Sequence, residues 1–257
     1  MELLFLGTGA ADWDINAYRP DTFFRRFSAA LVNDDLLIDP GPHIFHYAET
    51  IGHPSLFDHV RNVIVTHTHD DHFCPETVRR LCMDQECILW GDASCRRILE
   101  KEFGKDAERI RFAETRVRTA YRIGRYTVTP LRSNHATDDP EETTRLYLIG
   151  DGERLLYYGW IPTESWNIIK DQPINAMVLE CTCGALAKND WRIFEHNTIE
   201  MLSLMLETFR KYGYFSSDVR FYTSHMARTL HEDHASLCKA LSPLGVTPAY
   251  DGLTIHI

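Results

Sequence analysis

The run Thr66-His67-Thr68-His69-Asp70-Asp71-His72 packs three histidines and two aspartates into six residues, directly behind the apolar stretch Val63-Ile64-Val65. Imidazole nitrogens and carboxylate oxygens are the donors that zinc and related dications accept. His67 and His69 alternate around Thr68, so a loop leaving a strand can present both rings to one point. Asp71 and His72 follow where Pro75 and Glu76 open a helix, and the turn from loop to helix swings an oxygen and a nitrogen toward a second point. The spacing predicts two adjoining metal positions and the hydrolytic chemistry that paired dications support. The competing account, polar side chains that only satisfy nearby backbone, has to house five such groups in one short segment.

Read as His-x-His-x-Asp-His, the run resembles the signature of the metallo-β-lactamase superfamily, and other segments fit in the order that family requires. Leu36-Leu37-Ile38-Asp39-Pro40-Gly41 looks like its early strand, ending in an aspartate that braces the histidine loop. Ser133-Asn134-His135 and Thr223-Ser224-His225 look like the motifs that supply one further histidine to each metal. The resemblance runs from Leu6-Gly7-Thr8-Gly9 to Asp251-Gly252-Leu253-Thr254-Ile255. It implies an α/β fold of one domain over residues 1–257: a four-layer αββα sandwich of two mixed sheets flanked by helices, with the ligands in loops at one edge. It further implies a first metal on His67, His69 and His135, and a second on Asp71, His72 and His225, with Asp71 catalytic and Asp39 behind the ligands. The cofactor would be one or two divalent ions, zinc foremost, with manganese or iron as alternatives.

One position departs from the pattern. After the strand resembling Leu155-Leu156-Tyr157-Tyr158-Gly159 the family carries an aspartate that bridges the metals, and this chain has Trp160. An indole offers one N–H donor and no lone pair to a cation, so Trp160 is expected to wall the substrate pocket. The second metal should then bind more weakly or be completed by another group. Glu180, ending the apolar strand Ala176-Met177-Val178-Leu179, is the candidate, as a ligand, a catalytic carboxylate or a brace behind the ligands; Cys181 and Cys183 read better as buried thiols. The glycine-rich opening, the stretch Arg25-Arg26-Phe27-Ser28-Ala29 and the Asp-Gly ending resemble the phosphodiesterase branch, which includes tRNase Z and the cyclic phosphodiesterase of phosphonate breakdown. That implies a water made nucleophilic by metal and aimed at a small phosphodiester. The alternatives are a lactonase or other carboxyl-ester hydrolase, or a metal-binding sensor without turnover. His231 and His234, three apart on an expected helix, would share a face and touch substrate, with His231 able to donate a proton to a leaving group.

The elements that position these residues read as strands at Leu3 to Leu6, Ala29 to Val32, Leu36 to Ile38 and Val63 to Val65, a β-meander broken by Gly and Asn-Asp punctuation. Helices are expected from Pro75 to Met83, from a Ser94 cap to Phe103, from Asn197 to Tyr212 and near His231 to Leu241. Strands are expected at Ile88 to Trp90, Tyr126 to Leu131, Leu146 to Ile149, Leu155 to Tyr158, Ala176 to Leu179, Arg220 to Thr223 and Leu253 to Ile257. With 44% apolar and 25% charged residues the chain of 257 residues can bury a sizeable core. A formal charge of −10 disfavours long nucleic acid as a partner, because counterion displacement needs a basic face. The arginines between Arg109 and Arg125 read as solvated strand faces. Seven cysteines without paired zinc-ribbon spacing read as reduced thiols, and the absence of a signal-like start or membrane span leads us to expect a cytoplasmic protein acting on a small molecule, compatible with a homodimer.

Overall fold

The computed structural model describes residues 1–20, 22–161, 168–170 and 172–257. In chain order the strands are β1 (Glu2–Gly7), β2 (Ala29–Val32), β3 (Leu36–Ile38), β4 (Asn62–Ile64), β5 (Ile88–Gly91), β6 (Phe112–Glu114), β7 (Tyr121–Ile123), β8 (Tyr126–Arg132), β9 (Arg145–Gly150), β10 (Leu155–Gly159), β11 (Ala176–Glu180), β12 (Arg220–Ser224), β13 (Val246–Pro248) and β14 (Thr254–His256). The helices are α1 (Ile44–Thr50), α2 (Pro75–Cys82), α3 (Ala93–Phe103), α4 (Ile199–Tyr212) and α5 (His234–Leu241).

Among the described residues these strands form two sheets, ordered β14-β1-β2-β3-β4-β5-β6 and β13-β12-β11-β10-β9-β8-β7. Both are mixed. In the first, β14, β1, β2 and β3 pair antiparallel and β3 through β6 pair parallel. In the second, β7 through β10 are antiparallel and β10 through β13 parallel.

Period-two alternation decides which layer each side chain joins. In β3, Leu36 and Ile38 face the other sheet, where they meet Val128, Tyr147, Ile149, Tyr158 and Val178. Leu37 points the other way, into a core shared with Ile44 and Tyr47 of α1, Val78 of α2 and Leu99 of α3. The second sheet repeats the arrangement, with Tyr157, Met177 and Leu179 packed under Leu202, Leu206 and Phe209 of α4 and Leu237 and Leu241 of α5. Two sheets face to face with helices on both outer surfaces make the expected αββα sandwich.

Several local readings need correction. The meander ends at β3, because β4 joins it in parallel after α1, a helix whose seven residues carry too short a pattern to stand out. Asp92, not Ser94, caps α3, accepting the Ser94 N–H at 3.0 Å. The long helix starts at Ile199 behind the Thr198 cap, and α5 starts only at His234 behind Asp233. His231 therefore lies outside α5 and shares no helical face with His234.

Candidate metal centre

Every expected ligand sits just past the C-terminal end of a strand, where parallel strands of an α/β sheet gather their loops. Asp39 follows β3, His67 to His72 follow β4, His135 follows β8, Trp160 follows β10, Glu180 closes β11 and His225 follows β12. The histidine loop is folded by its own backbone: the His69 carbonyl accepts from the N–H groups of His72 and Phe73 at 2.9 and 2.8 Å. Gly41 lies so close beneath it that a Cβ there would stand 2.6 Å from the Asp71 carbonyl oxygen, so the bracing loop tolerates no side chain at that point.

The six residues expected to bind metal fall into two groups. In one, His69 Nδ1 lies 3.1 Å from His67 Nε2 and 3.2 Å from His135 Nε2. In the other, Asp71 Oδ2 lies 3.4 Å from His72 Nε2 and 3.3 Å from His225 Nε2. Donors about 2.0–2.1 Å from a tetrahedral ion stand about 3.3 Å from one another, so both groups have the spacing such an ion requires. The groups adjoin, with the His67 and His72 rings 4.2 Å apart.

Hydrogen bonds behind the rings fix which nitrogen is offered. Asp39, wholly buried and in the left-handed region at φ 59°, accepts from the Thr66 N–H at 2.7 Å and from His72 Nδ1 at 2.8 Å. The Thr66 hydroxyl donates to the same carboxylate and so accepts from His67 Nδ1 at 3.0 Å. One carboxylate thus holds a histidine of each group with its Nε2 lone pair inward, directly for His72 and through Thr66 for His67. On the far side, Glu180 Oε2 accepts from the Thr182 hydroxyl at 2.9 Å, and that hydroxyl accepts from His225 Nδ1 at 2.7 Å.

Glu180, His196 and His225 form a third group close enough to hold an ion. The Thr182 hydroxyl already lies within 3.0 Å of a donor or acceptor atom on each of them, and the Glu180 carboxylate also accepts the N–H groups of Thr182 and Asn197. We therefore read this group as a hydrogen-bond hub, which favours the bracing role of Glu180 over direct ligation. Cys181 and Cys183 are buried thiols whose pKa values burial pushes up.

Electrostatics suit cation binding. Burial and neighbouring imidazoles keep His67 and His225 below the usual imidazole range and hold His135 at about 2, so their lone pairs stay unprotonated at neutral pH. Burial works against ionisation of Asp71, but His72 and His225 outweigh it and hold its carboxyl well below the usual range.

Trp160 stands among both groups, 2% exposed, its ring 5.0 Å from those of His67 and His135, 5.3 Å from His72 and 5.2 Å from His225. A polar cavity of about 700 Å³ opens onto His135 and is lined by Arg118, Arg132, Asn134, Thr137, Asp139 and Glu142.

Sequence reasoning missed His196, whose ring lies 4.9 Å from His135 and 5.3 Å from His225, stacked on the latter. Its only signal is a histidine directly before the start of the long helix. His231 and His234 are not brought to the metal groups. His231 Nε2 is spent on the carbonyls of Cys181 and Thr182 at 3.0 and 3.1 Å, and His234 takes a hydrogen bond from Arg25.

The pattern of a beta-lactamase superfamily domain matches residues 35–163, which carry Asp39, the histidine loop, His135 and Trp160. The chain belongs to the beta-lactamase superfamily. Solved structures of this superfamily's fold cover the chain end to end. A diphosphatase from the PhnP family is 18% identical over 100% of this chain and 97% of its own, with a TM-score of 0.71. Zn(2+)-bound PqqB from Methylobacterium extorquens is 16% identical over 100% of both chains at 0.72. The short form of human tRNase Z is 16% identical over 100% and 99% at 0.68. No curated protein sequence matches. Among the described residues no helix is long and apolar enough to cross a membrane.

Proposed function

We propose that this superfamily member is a metal-dependent phosphodiesterase acting on small substrates. The observation that carries the hydrolase reading is the pair of adjoining three-donor groups, with His67, His72 and His225 oriented by hydrogen bonds from behind. The polar cavity that opens onto His135 gives room for a small substrate. Two proteins of the same fold, named a diphosphatase and a tRNase, support phosphorus as the reacting centre, and the net charge of −10 favours small esters over long nucleic acid.

Dications held by the two groups would lower the proton affinity of a water and neutralise charge on the substrate. The chain supplies the remainder. Asp71 stays ionised between His72 and His225, so its carboxylate, as an anion, would hold the second ion. His196 is held through Nδ1 by the Thr182 hydroxyl at 3.0 Å and lies 3.7 Å from Glu180, which leaves Nε2 to protonate the departing oxygen. The proton-donor role expected of His231 passes to His196 in this reading.

The test is a panel of bis(4-nitrophenyl) phosphate, 2′,3′-cyclic nucleotides and simple lactones, run on protein loaded separately with zinc, manganese and iron. Turnover of diesters above lactones is expected. Lactone turnover alone would move the reaction to carbonyl esters on the same groups.

A further inference from the structure

Trp160 carries a hydrogen-bond donor that nothing among the described residues satisfies. Its Nε1 is buried with no partner among the described residues, on a ring surrounded by His67, His72, His135 and His225. An unpaired buried N–H is costly, and native structures rarely keep one without a use. The ring itself is held in place, with its main-chain carbonyl accepting from the Tyr157 hydroxyl and its face stacked on His135 at an interplanar angle of 24°. Gly159, at φ 131°, makes the turn from β10 that brings it there.

The imidazoles around it do not answer the donor. His67, His72 and His225 direct their Nδ1 atoms away, to Thr66, Asp39 and Thr182. Among the described residues His135 Nδ1 is also buried without a hydrogen-bond partner and makes no bond to the indole, on whose face its ring is stacked. Nε1 is thus a desolvated N–H on a ring that lies among the histidines of both donor groups, and a fixed donor in such a site is the kind that stabilises developing negative charge.

We propose that Trp160 is a catalytic residue whose indole N–H donates to a non-bridging oxygen of the bound phosphodiester, and to the same oxygen of the phosphate product. The inference rests on the phosphodiesterase reading for the identity of the anion. No atom is exchanged: the indole keeps its proton throughout, and the bond strengthens as charge builds on that oxygen.

The experiment compares zinc-loaded wild type with Trp160→Phe, which keeps a ring in place and removes the N–H. Metal content is counted first and is expected to be equal. Calorimetric titration with inorganic phosphate should then show a dissociation constant raised roughly tenfold or more, and kcat on the diester should fall about 100-fold. Equal phosphate affinity at equal metal content overturns the proposal. Weakened phosphate binding without diester turnover by the wild type would uphold the donor and sink the phosphodiesterase reading, whereas turnover with unchanged phosphate affinity in the variant would do the reverse. Should the variant fail to fold, nitrogen-15 spectra of the wild type decide. One of the five indole N–H resonances is expected to move downfield at saturating phosphate, and if none moves the donor is refuted.

Discussion

Asp39 is the residue whose replacement reads most directly on the architecture of the site. Its carboxylate accepts from the Thr66 N–H, the Thr66 hydroxyl and His72 Nδ1, all within 3.0 Å and all buried. Asp39→Ala leaves those donors unpaired and puts alanine in a left-handed conformation that aspartate tolerates better. Stranding several buried donors of a charged network costs about 3–5 kcal/mol. Removing the partner behind a metal-binding histidine typically weakens the metal by about 10–100-fold, or about 1.4–2.7 kcal/mol. Asp39→Asn separates the two effects. The amide oxygen can keep the Thr66 N–H, but the amide NH₂ would confront His72 Nδ1, drive that nitrogen to act as acceptor and place the proton on Nε2, where it blocks coordination. We expect Asn to unfold in urea closer to wild type than Ala does, yet to lose the metal of the Asp71, His72 and His225 group as readily as Ala. Chelator competition with metal counting, beside urea titration, measures both. An Asn variant that binds both metals with wild-type affinity would refute the reasoning.

Chelator titration of the wild type should remove metal in two steps, the Asp71, His72 and His225 group emptying first because no carboxylate bridges it to the other; a single step releasing both metals would contradict this. Replacing His196 by Gln should lower kcat by about 100- to 10,000-fold with metal content unchanged, and loss of metal instead would make His196 a ligand. The metal-free protein should lose stability in acid. Burial keeps His67, His135 and His225 below 6.5, and His43 at about 4, so as pH falls through 6.5 the unfolded chain takes up protons that the folded one refuses. Each such group steepens the fall by up to about 1.4 kcal/mol per pH unit. His72 acts oppositely: Asp71 and Asp39 outweigh its burial and raise it, so its contribution is present below 6.5 and lost as pH rises through the folded value. Urea midpoints measured without metal should therefore drop between pH 6.5 and 5, and a flat profile would show that these histidines are not buried neutral.

The fold could be read from the chain because period-two apolar runs ending in Gly, Asp or Pro mark most strands, and the two groups could be read because the histidine loop is contiguous. The parts that stayed hidden depend on partners distant in sequence. Residues 112–114 and 246–248 become strands only by adding to the edges of sheets already formed. His196 acquires its place from Thr182 and Glu180 across a loop, and Thr182 itself is an unremarkable threonine until three polar groups converge on its hydroxyl. The indole at position 160 reads as a missing ligand in the sequence, while its unsatisfied N–H is visible only once the surrounding rings are in place.

The two donor groups also tie the molecule together. His69 and His135 are 66 residues apart, and Asp71 and His225 are 154 apart; in each pair one residue follows a strand of the first sheet and the other a strand of the second. An ion seated in either group is a removable cross-link between the sheets, closing a long chain loop as a disulfide would, with the entropic benefit that grows with loop length. Metal supply would then set how long the sandwich survives before its halves part, so depletion would shorten the lifetime of the folded protein at the same time as it stopped turnover.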